Sequence, residues 1–284
     1  VLPDDFFFFF LDSTVNTQTP LAEFGDGAVH ITDWRGEETI QGIVSEELTY
    51  YVQWNGRQLD QRYHTVLQLH TENADNKASA ADISLAYIYP HTIWDESLSP
   101  YIEYPLILTE NLPFGAYRLV AGMYDFKTRT NLFATSPIGH PLNTLATIGW
   151  IKVAHPPMTI PADIGTINAI FDEKIALQGM NITPLDNNQI SINLYWESLA
   201  HRPNVDATLF IQVFSDEGRI GQVDTRPMNG QYPTFIWDGG EIVATEHVIS
   251  LDSPADEATY LLIGMYTFPT LDRLPATVED VAQT

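Results

Sequence analysis

The chain has 284 residues, of which 44% are hydrophobic and 12% aromatic, so it can bury one large core or two ordinary ones. Its 37 acidic residues against 13 basic ones give a net charge of -24, and such a field repels phosphate backbones, which excludes nucleic acid as an expected partner. Cysteine is absent, which excludes disulfides and cysteine-based catalysis or metal binding.

The first apolar element is the run Phe6–Phe10, five consecutive phenylalanines. Together with Leu11 it is the longest purely apolar run in the chain, and it is far shorter than the roughly 20 residues that span a bilayer. We predict that this run forms a β-strand, in which alternate phenylalanines share one face.

A second strand is predicted at 48–54, where large apolar residues alternate with Thr, Tyr and Gln. The same alternation returns further along the chain, and its final residue, Trp196, lies 142 residues after Trp54. Both tryptophans fall on the buried face by this alternation, so we predict core roles for them.

Two further segments repeat in the same register. Residues 89–95 (YPHTIWD) match 232–238 (YPTFIWD), and 122–126 (GMYDF) match 264–268 (GMYTF). These matches indicate a duplicated module of about 140 residues. Each copy has short alternating strands separated by Gly, Pro, Asn and Asp clusters, which is typical of antiparallel sandwiches. The sequence therefore predicts an all-β fold with two tandem antiparallel β-sandwich domains of the jelly-roll or immunoglobulin-like kind.

A proline-rich stretch separates the two copies. We predict domain one at 1–153, including the N-terminal extension strand, a stiff linker at 154–166, and domain two at 167–284.

Copy two carries a series of characteristic segments: IALQGMNI at 175–182, ISINLYW at 190–196, YPTFIWD at 232–238 and YLLIGMY at 260–266. In these segments the chain resembles the extracytoplasmic β-sandwich module found at the C-terminus of Chloroflexota-type membrane glycosyltransferases and surface proteins. The resemblance covers most of both copies, although copy one has VQW at 52–54 where the pattern has LYW. It implies an extracellular or cell-surface location and no known reaction, because the transferase activity lies in membrane-embedded portions that this chain does not contain.

Trp94-Asp95 and Trp237-Asp238 occupy matching turns of the two copies. An exposed tryptophan there could stack on a sugar ring while the aspartate accepts hydrogen bonds from the sugar hydroxyls, as in carbohydrate-binding modules. The competing interpretation is structural: the tryptophans plug the end of the sandwich and the aspartates cap a turn. Repetition in both copies favours the structural role.

No catalytic motif stands out in the sequence. The eight histidines lack metal-binding spacings such as HxH or HExxH, and no GxSxG nucleophile elbow is present. We therefore predict a non-enzymatic protein without a cofactor or a metal.

The two copies differ at their ends. Copy one closes with a predicted strand at 147–153, whereas copy two stops ten residues after Leu274 with no counterpart. One sandwich is thus a strand short, while Phe6–Phe10 is a surplus strand. We expect head-to-tail complementation, in which the phenylalanine strand of each subunit completes domain two of the next and builds an extracellular filament.

Two alternatives stay open at this point. Phe6–Phe10 could instead be an edge strand of domain one. The protein could also be a carbohydrate-binding or accessory module of a membrane glycosyltransferase, with cell-surface glycans rather than further copies of itself as partners.

Overall fold

A computed structural model describes residues 10–11, 19–41, 47–57, 63–72, 77–83, 99–108, 111–136 and 141–278. The predicted all-β fold with antiparallel sheets is confirmed. The chain divides into two compact units, Val1–Ala154 (unit one) and His155–Thr284 (unit two). Within the described ranges, no helix is both long enough and apolar enough to cross a membrane.

The strands described in unit one are β1 (Phe10–Leu11), β2 (Ala22–Phe24), β3 (Val29–Arg35), β4 (Thr39–Ile40), β5 (Glu47–Gly56), β6 (Tyr63–Thr71), β7 (Lys77–Ile83), β8 (Pro100–Ile107), β9 (Gly115–Asp125), β10 (Ala134–Thr135), β11 (Pro141–Asn143) and β12 (Leu145–Val153). One sheet has the order β1-β8-β5-β3-β2-β10-β11 and the other the order β4-β12-β9-β6-β7. Only β4 and β12 pair in parallel among these strands. Buried apolar side chains from both sheets form one core.

The strands described in unit two are β13 (Gly165–Phe171), β14 (Ile175–Leu185), β15 (Gln189–Ser198), β16 (Ala207–Ser215), β17 (Gly218–Thr225), β18 (Ile242–Ser250), β19 (Tyr260–Thr267) and β20 (Ala276–Val278). Short 3-10 turns lie at Pro227–Gly230, Thr234–Ile236 and Ala255–Glu257. One sheet has the order β18-β15-β14-β13-β20, and a three-stranded sheet has the order β17-β16-β19.

The strand orders of the two units correspond. The series β8-β5-β3-β2-β10 of unit one matches β18-β15-β14-β13-β20 of unit two, and β9-β6-β7 matches β19-β16-β17. The sequence repeat is therefore also a repeat of topology. Four strands of unit one, namely β1, β4, β11 and β12, have no counterpart in the described part of unit two.

The two repeated tryptophans lie in equivalent core positions. Trp54 and Trp196 are both fully buried. The ring centroid of Trp54 lies 5.9 Å from that of Phe24, and the centroid of Trp196 lies 5.9 Å from that of Phe171. Their predicted core roles are confirmed.

The proline-rich segment packs within unit two. The sulfur of Met158 accepts a hydrogen bond from the backbone N–H of Ala244 at 3.1 Å. Ile164 lies against Gly179, where an added Cβ would come within 2.7 Å of its Cγ2. Of the residues predicted as a linker, 154–166, only Ala154 therefore belongs to unit one, and 155–166 belong to unit two.

A buried histidine lies beside the second tryptophan. The indole Nε1 of Trp196 donates to the hydroxyl of Thr245 at 3.1 Å, and that hydroxyl lies 2.9 Å from Nε2 of His247. His247 is only 6% exposed, and this burial lowers its pKa below the ordinary value, while the neighbouring Glu246 opposes the shift. The imidazole is therefore neutral in the folded protein at neutral pH.

We expect His247 to make unit two less stable in acid. The pKa of His247 is lower in the folded than in the unfolded chain, so the neutral imidazole contributes fully to the free energy of unfolding above the unfolded pKa near 6.5. As the pH falls from there toward the folded pKa, the free energy of unfolding drops by about 1.4 kcal/mol per pH unit. Urea unfolding at pH 7.5 and 5.0 should show a smaller loss in His247→Gln than in the wild type. His201→Gln, which alters a 70% exposed side chain, is the control. Equal losses in the wild type and His247→Gln would contradict the prediction.

Candidate functional site

In their described residues, the two units differ at the edge of the sheet that contains β9 or β19. In unit one, β12 pairs with β9 from Leu145 opposite Gly122 to Val153 opposite Gly115. Its buried apolar side chains are Ala146, Ile148, Ile151 and Val153. Each of the larger ones contributes roughly 1.5–3 kcal/mol by leaving water. This closing strand is therefore a substantial part of the core of unit one.

In unit two, β19 corresponds to β9 and pairs on one side with β16 along all eight residues. On its other side, the turn that follows the strand folds back against its last residues. The N–H of Leu274 donates to the carbonyl of Met265 at 2.9 Å, and the N–H of Thr267 donates to the carbonyl of Asp272 at 3.0 Å. No strand in the described part of the chain pairs with Tyr260–Gly264 on this side. We call Tyr260–Gly264 the open edge.

The side chains of the open edge are exposed where those of unit one are covered. On the core-facing side, Leu261 and Ile263 are only half buried, whereas their equivalents in unit one, Leu119 and Ala121, are fully buried. On the outer side, Leu262 is 43% exposed. A sheet edge flanked by exposed apolar side chains is a template for the addition of another strand.

The predicted donor strand lies partly in unit one. Phe10 and Leu11 form β1, which pairs with β8 through Phe10 opposite Tyr101 and Leu11 opposite Pro100. The assignment of Phe10 to a donated strand is therefore corrected, because one side of its backbone already pairs within its own unit. Phe6, Phe7, Phe8 and Phe9 lie outside the described residues.

Trp237 was a candidate for stacking on a sugar. Its side chain is fully buried, and its Nε1 donates to the carbonyl of Tyr232 at 3.0 Å. A buried indole offers no face to a sugar ring, so the sugar-binding role of Trp237 is excluded and the structural role fits. The matching pair in copy one, Trp94 and Asp95, lies outside the described residues.

Asp238 belongs to a charged cluster at the rim of the same turn. Its Oδ1 lies 3.2 Å from Nδ1 of His201 and 3.8 Å from Nε of Arg202. Its backbone N–H donates to Glu241 Oε2 at 2.8 Å, and Glu241 Oε1 accepts the hydroxyl of Tyr232 at 2.5 Å. Burial, and then the bond to Glu241, raises the pKa of Tyr232 well above its usual range.

The capping side chain of this turn is therefore Glu241, and the carboxylate of Asp238 lies beside Arg202 and His201 instead. Glu241 was not predicted from the sequence. Its signal was an acidic residue three positions after the repeated Trp-Asp pair, across Gly239 and Gly240.

In the ranges that the structure describes, no three His, Asp or Glu side chains converge to hold a metal ion. Comparison of the sequence with protein-family models and with curated proteins finds no match. Among the residues that the structure describes, the open edge has the geometry on which another strand can add.

Proposed function

We propose that this protein is a non-catalytic structural subunit of an extracellular or cell-surface assembly, in which unit two of one copy accepts a β-strand from the next copy. The observation that carries the proposal is the open edge, Tyr260–Gly264, which includes the half-buried Leu261 and Ile263. The equivalent edge of unit one is covered by β12. A strand added there would shield the two core-facing side chains from water.

The strand that fits the open edge is Phe6–Phe9 of a neighbouring copy. This segment immediately precedes β1, the edge strand of its own sheet. It carries no charge, so it brings no additional acidic group to a partner whose net charge is already -24. Its large apolar side chains match the apolar character of the core-facing positions that it would cover.

The expected strength of this contact is moderate. Two phenylalanines on the core face contribute roughly 1.5–3 kcal/mol each, and each new ladder hydrogen bond about 0.5–1.5 kcal/mol. Association costs about 4–15 kcal/mol in lost freedom of motion. The assembly is therefore reversible and dependent on concentration. Added salt strengthens it, because salt screens the repulsion between acidic copies.

The geometry of the contact makes it propagate. The donor lies in unit one and the acceptor in unit two, so the two surfaces are different and the contact is heterologous. Each copy that uses its open edge still presents its own donor strand, and the product is an open chain of subunits rather than a closed dimer.

Removal of the donor tests the proposal. We expect a chain that lacks residues 1–9 to stay monomeric at concentrations where the full chain forms elongated particles in light scattering and negative-stain electron microscopy. The control is Phe133→Ser, which removes a 71% exposed phenylalanine elsewhere in unit one and should leave assembly intact. A full chain that remains monomeric at high concentration would contradict the proposal, and so would equal assembly of the shortened chain.

A further inference from the structure

The outer face of the three-stranded sheet in unit two carries a pocket of about 290 Å³. Its lining residues come from β16, β17, β19 and the turn after β19: Phe210, Gln212, Asp224, Tyr266, Leu271 and Arg273. The pocket lies on a face of the sheet, whereas a complementing strand would add at its edge. Its lining side chains all come from a single chain, so the pocket is formed without a complementing strand.

The floor of the pocket is aromatic and depends on a glycine. Phe210 lies opposite Gly264 in the pairing of β16 with β19, and an added Cβ at Gly264 would come within 2.3 Å of Phe210 Cζ. The phenyl ring therefore lies directly against the backbone of β19, and Phe210 is only 8% exposed, so it supports the pocket from below. The aromatic surface open to a ligand is the half-buried Tyr266. The ring of Tyr266 continues this surface, with its centroid 6.2 Å from that of Phe210.

In unit one, a different side chain lies over the equivalent glycine, Gly122. There the space over Gly122 is occupied by Leu145 of the closing strand, whose Cδ2 would lie 2.7 Å from an added Cβ. The residue that corresponds to Phe210 is Val66, which pairs with Gly122 in the same register. The aromatic floor is therefore a feature that distinguishes unit two from its duplicate.

Polar groups of both hydrogen-bonding kinds surround this floor. Asp224 is exposed and supplies an acceptor, Arg273 is exposed and supplies donors, and the half-buried Gln212 supplies both. The guanidinium carbon of Arg273 lies 5.5 Å from the ring centroid of Phe210. Sugar hydroxyls both donate and accept, and the apolar face of a sugar ring packs on aromatic carbon.

The aromatic character continues along the same face. Phe214 and Tyr260 stack with centroids 4.7 Å apart and ring planes 4° from parallel, and Tyr260 is 57% exposed. Phe214 is four residues from Phe210 on β16, a distance of about 13 Å along an extended strand. This face is long enough to contact several consecutive units of a polymer.

We propose that this face binds a neutral polysaccharide, with one sugar unit in the pocket beside Tyr266 and Arg273. The charge of the protein selects against acidic glycans, because the net charge is -24 and Asp224 stands at the pocket itself. The ligand class is therefore a neutral glycan chain, and the binding is weak and reversible, as expected for an open surface site.

The test uses the full chain in affinity gels that contain neutral α-glucan, β-glucan, xylan or mannan, with polygalacturonate as the acidic comparison. We expect at least one neutral glycan to retard the protein, and Tyr266→Ala and Arg273→Gln each to weaken that binding at least tenfold. Both variants alter side chains at the protein surface, and circular dichroism will show whether they stay folded.

Tyr124→Ala is the matched control in unit one. Tyr124 is the equivalent tyrosine, but Arg129 covers its ring at 5.6 Å and donates to its hydroxyl at 3.3 Å. This variant should bind like the wild type. Three results would each overturn the proposal: no retardation by any neutral glycan, unchanged binding in folded Tyr266→Ala and Arg273→Gln, or preferential retardation by polygalacturonate.

Discussion

A chain whose residues 279–284 are replaced by a second copy of residues 136–153 is expected to remain monomeric where the wild-type chain assembles. The added segment contains the sequence of β12, which in unit one pairs with β9 along its length. Placed after β20, it can pair with the open edge of its own chain and so exclude the strand of a neighbour. Light scattering across a concentration series measures the change.

The same graft should raise the stability of unit two. The copied Ile148 and Ile151 would each bury a side chain worth roughly 1.5–3 kcal/mol, and Leu261 and Ile263 would gain cover. The melting temperature of unit two should therefore rise by more than about 4 °C. The control graft carries Lys at both copied isoleucine positions and should neither stabilise the unit nor block assembly. A graft that assembles as the wild type does would contradict the prediction.

Trp237→Ala is expected to destabilise unit two by about 3–5 kcal/mol, the usual cost of truncating a fully buried tryptophan. The loss includes the cavity that the indole leaves and the hydrogen bond from its Nε1 to the carbonyl of Tyr232. Scanning calorimetry should show a lower transition for unit two, while the transition of unit one stays in place as an internal reference.

Two further variants separate the structural role from a surface role. Trp237→Phe keeps most of the buried volume but loses the hydrogen bond, so it should cost only about 1–2 kcal/mol. Asp238→Asn changes a side chain at the rim, 35% exposed, and should cost less still. A Trp237→Ala protein that melts at the wild-type temperature would refute the structural role.

The parts of the fold that the sequence predicted correctly are those that depend on local alternation and on the repeat. Alternating apolar residues located β5 and β15 and placed Trp54 and Trp196 in the core, because a strand turns every second side chain to the same face.

The remaining features depend on partners that are distant in the chain. Phe10 pairs with Tyr101, and no local pattern at either residue encodes that register. The repeat placed Trp237 in a turn and favoured a structural role for it, but a turn has no fixed side-chain periodicity, so the contacts of the indole could not be predicted. The outer-face pocket combines Phe210 with Arg273, which meet only because β16 pairs with β19 and the following turn folds back.

The central claim, that the open edge receives the phenylalanine strand of another copy, is tested most directly by cysteine cross-linking. The chain contains no cysteine, so any disulfide that forms must join two introduced cysteines. Leu262→Cys places a cysteine in the middle of the open edge. It is combined with Phe7→Cys in one double variant and with Phe8→Cys in another, because neighbouring residues of the donor strand point to opposite faces. Oxidation of one of these double variants should give a ladder of covalent oligomers on a non-reducing gel, and each single variant should stop at a dimer. The absence of a ladder from both double variants, at concentrations where the protein is assembled, would contradict the account.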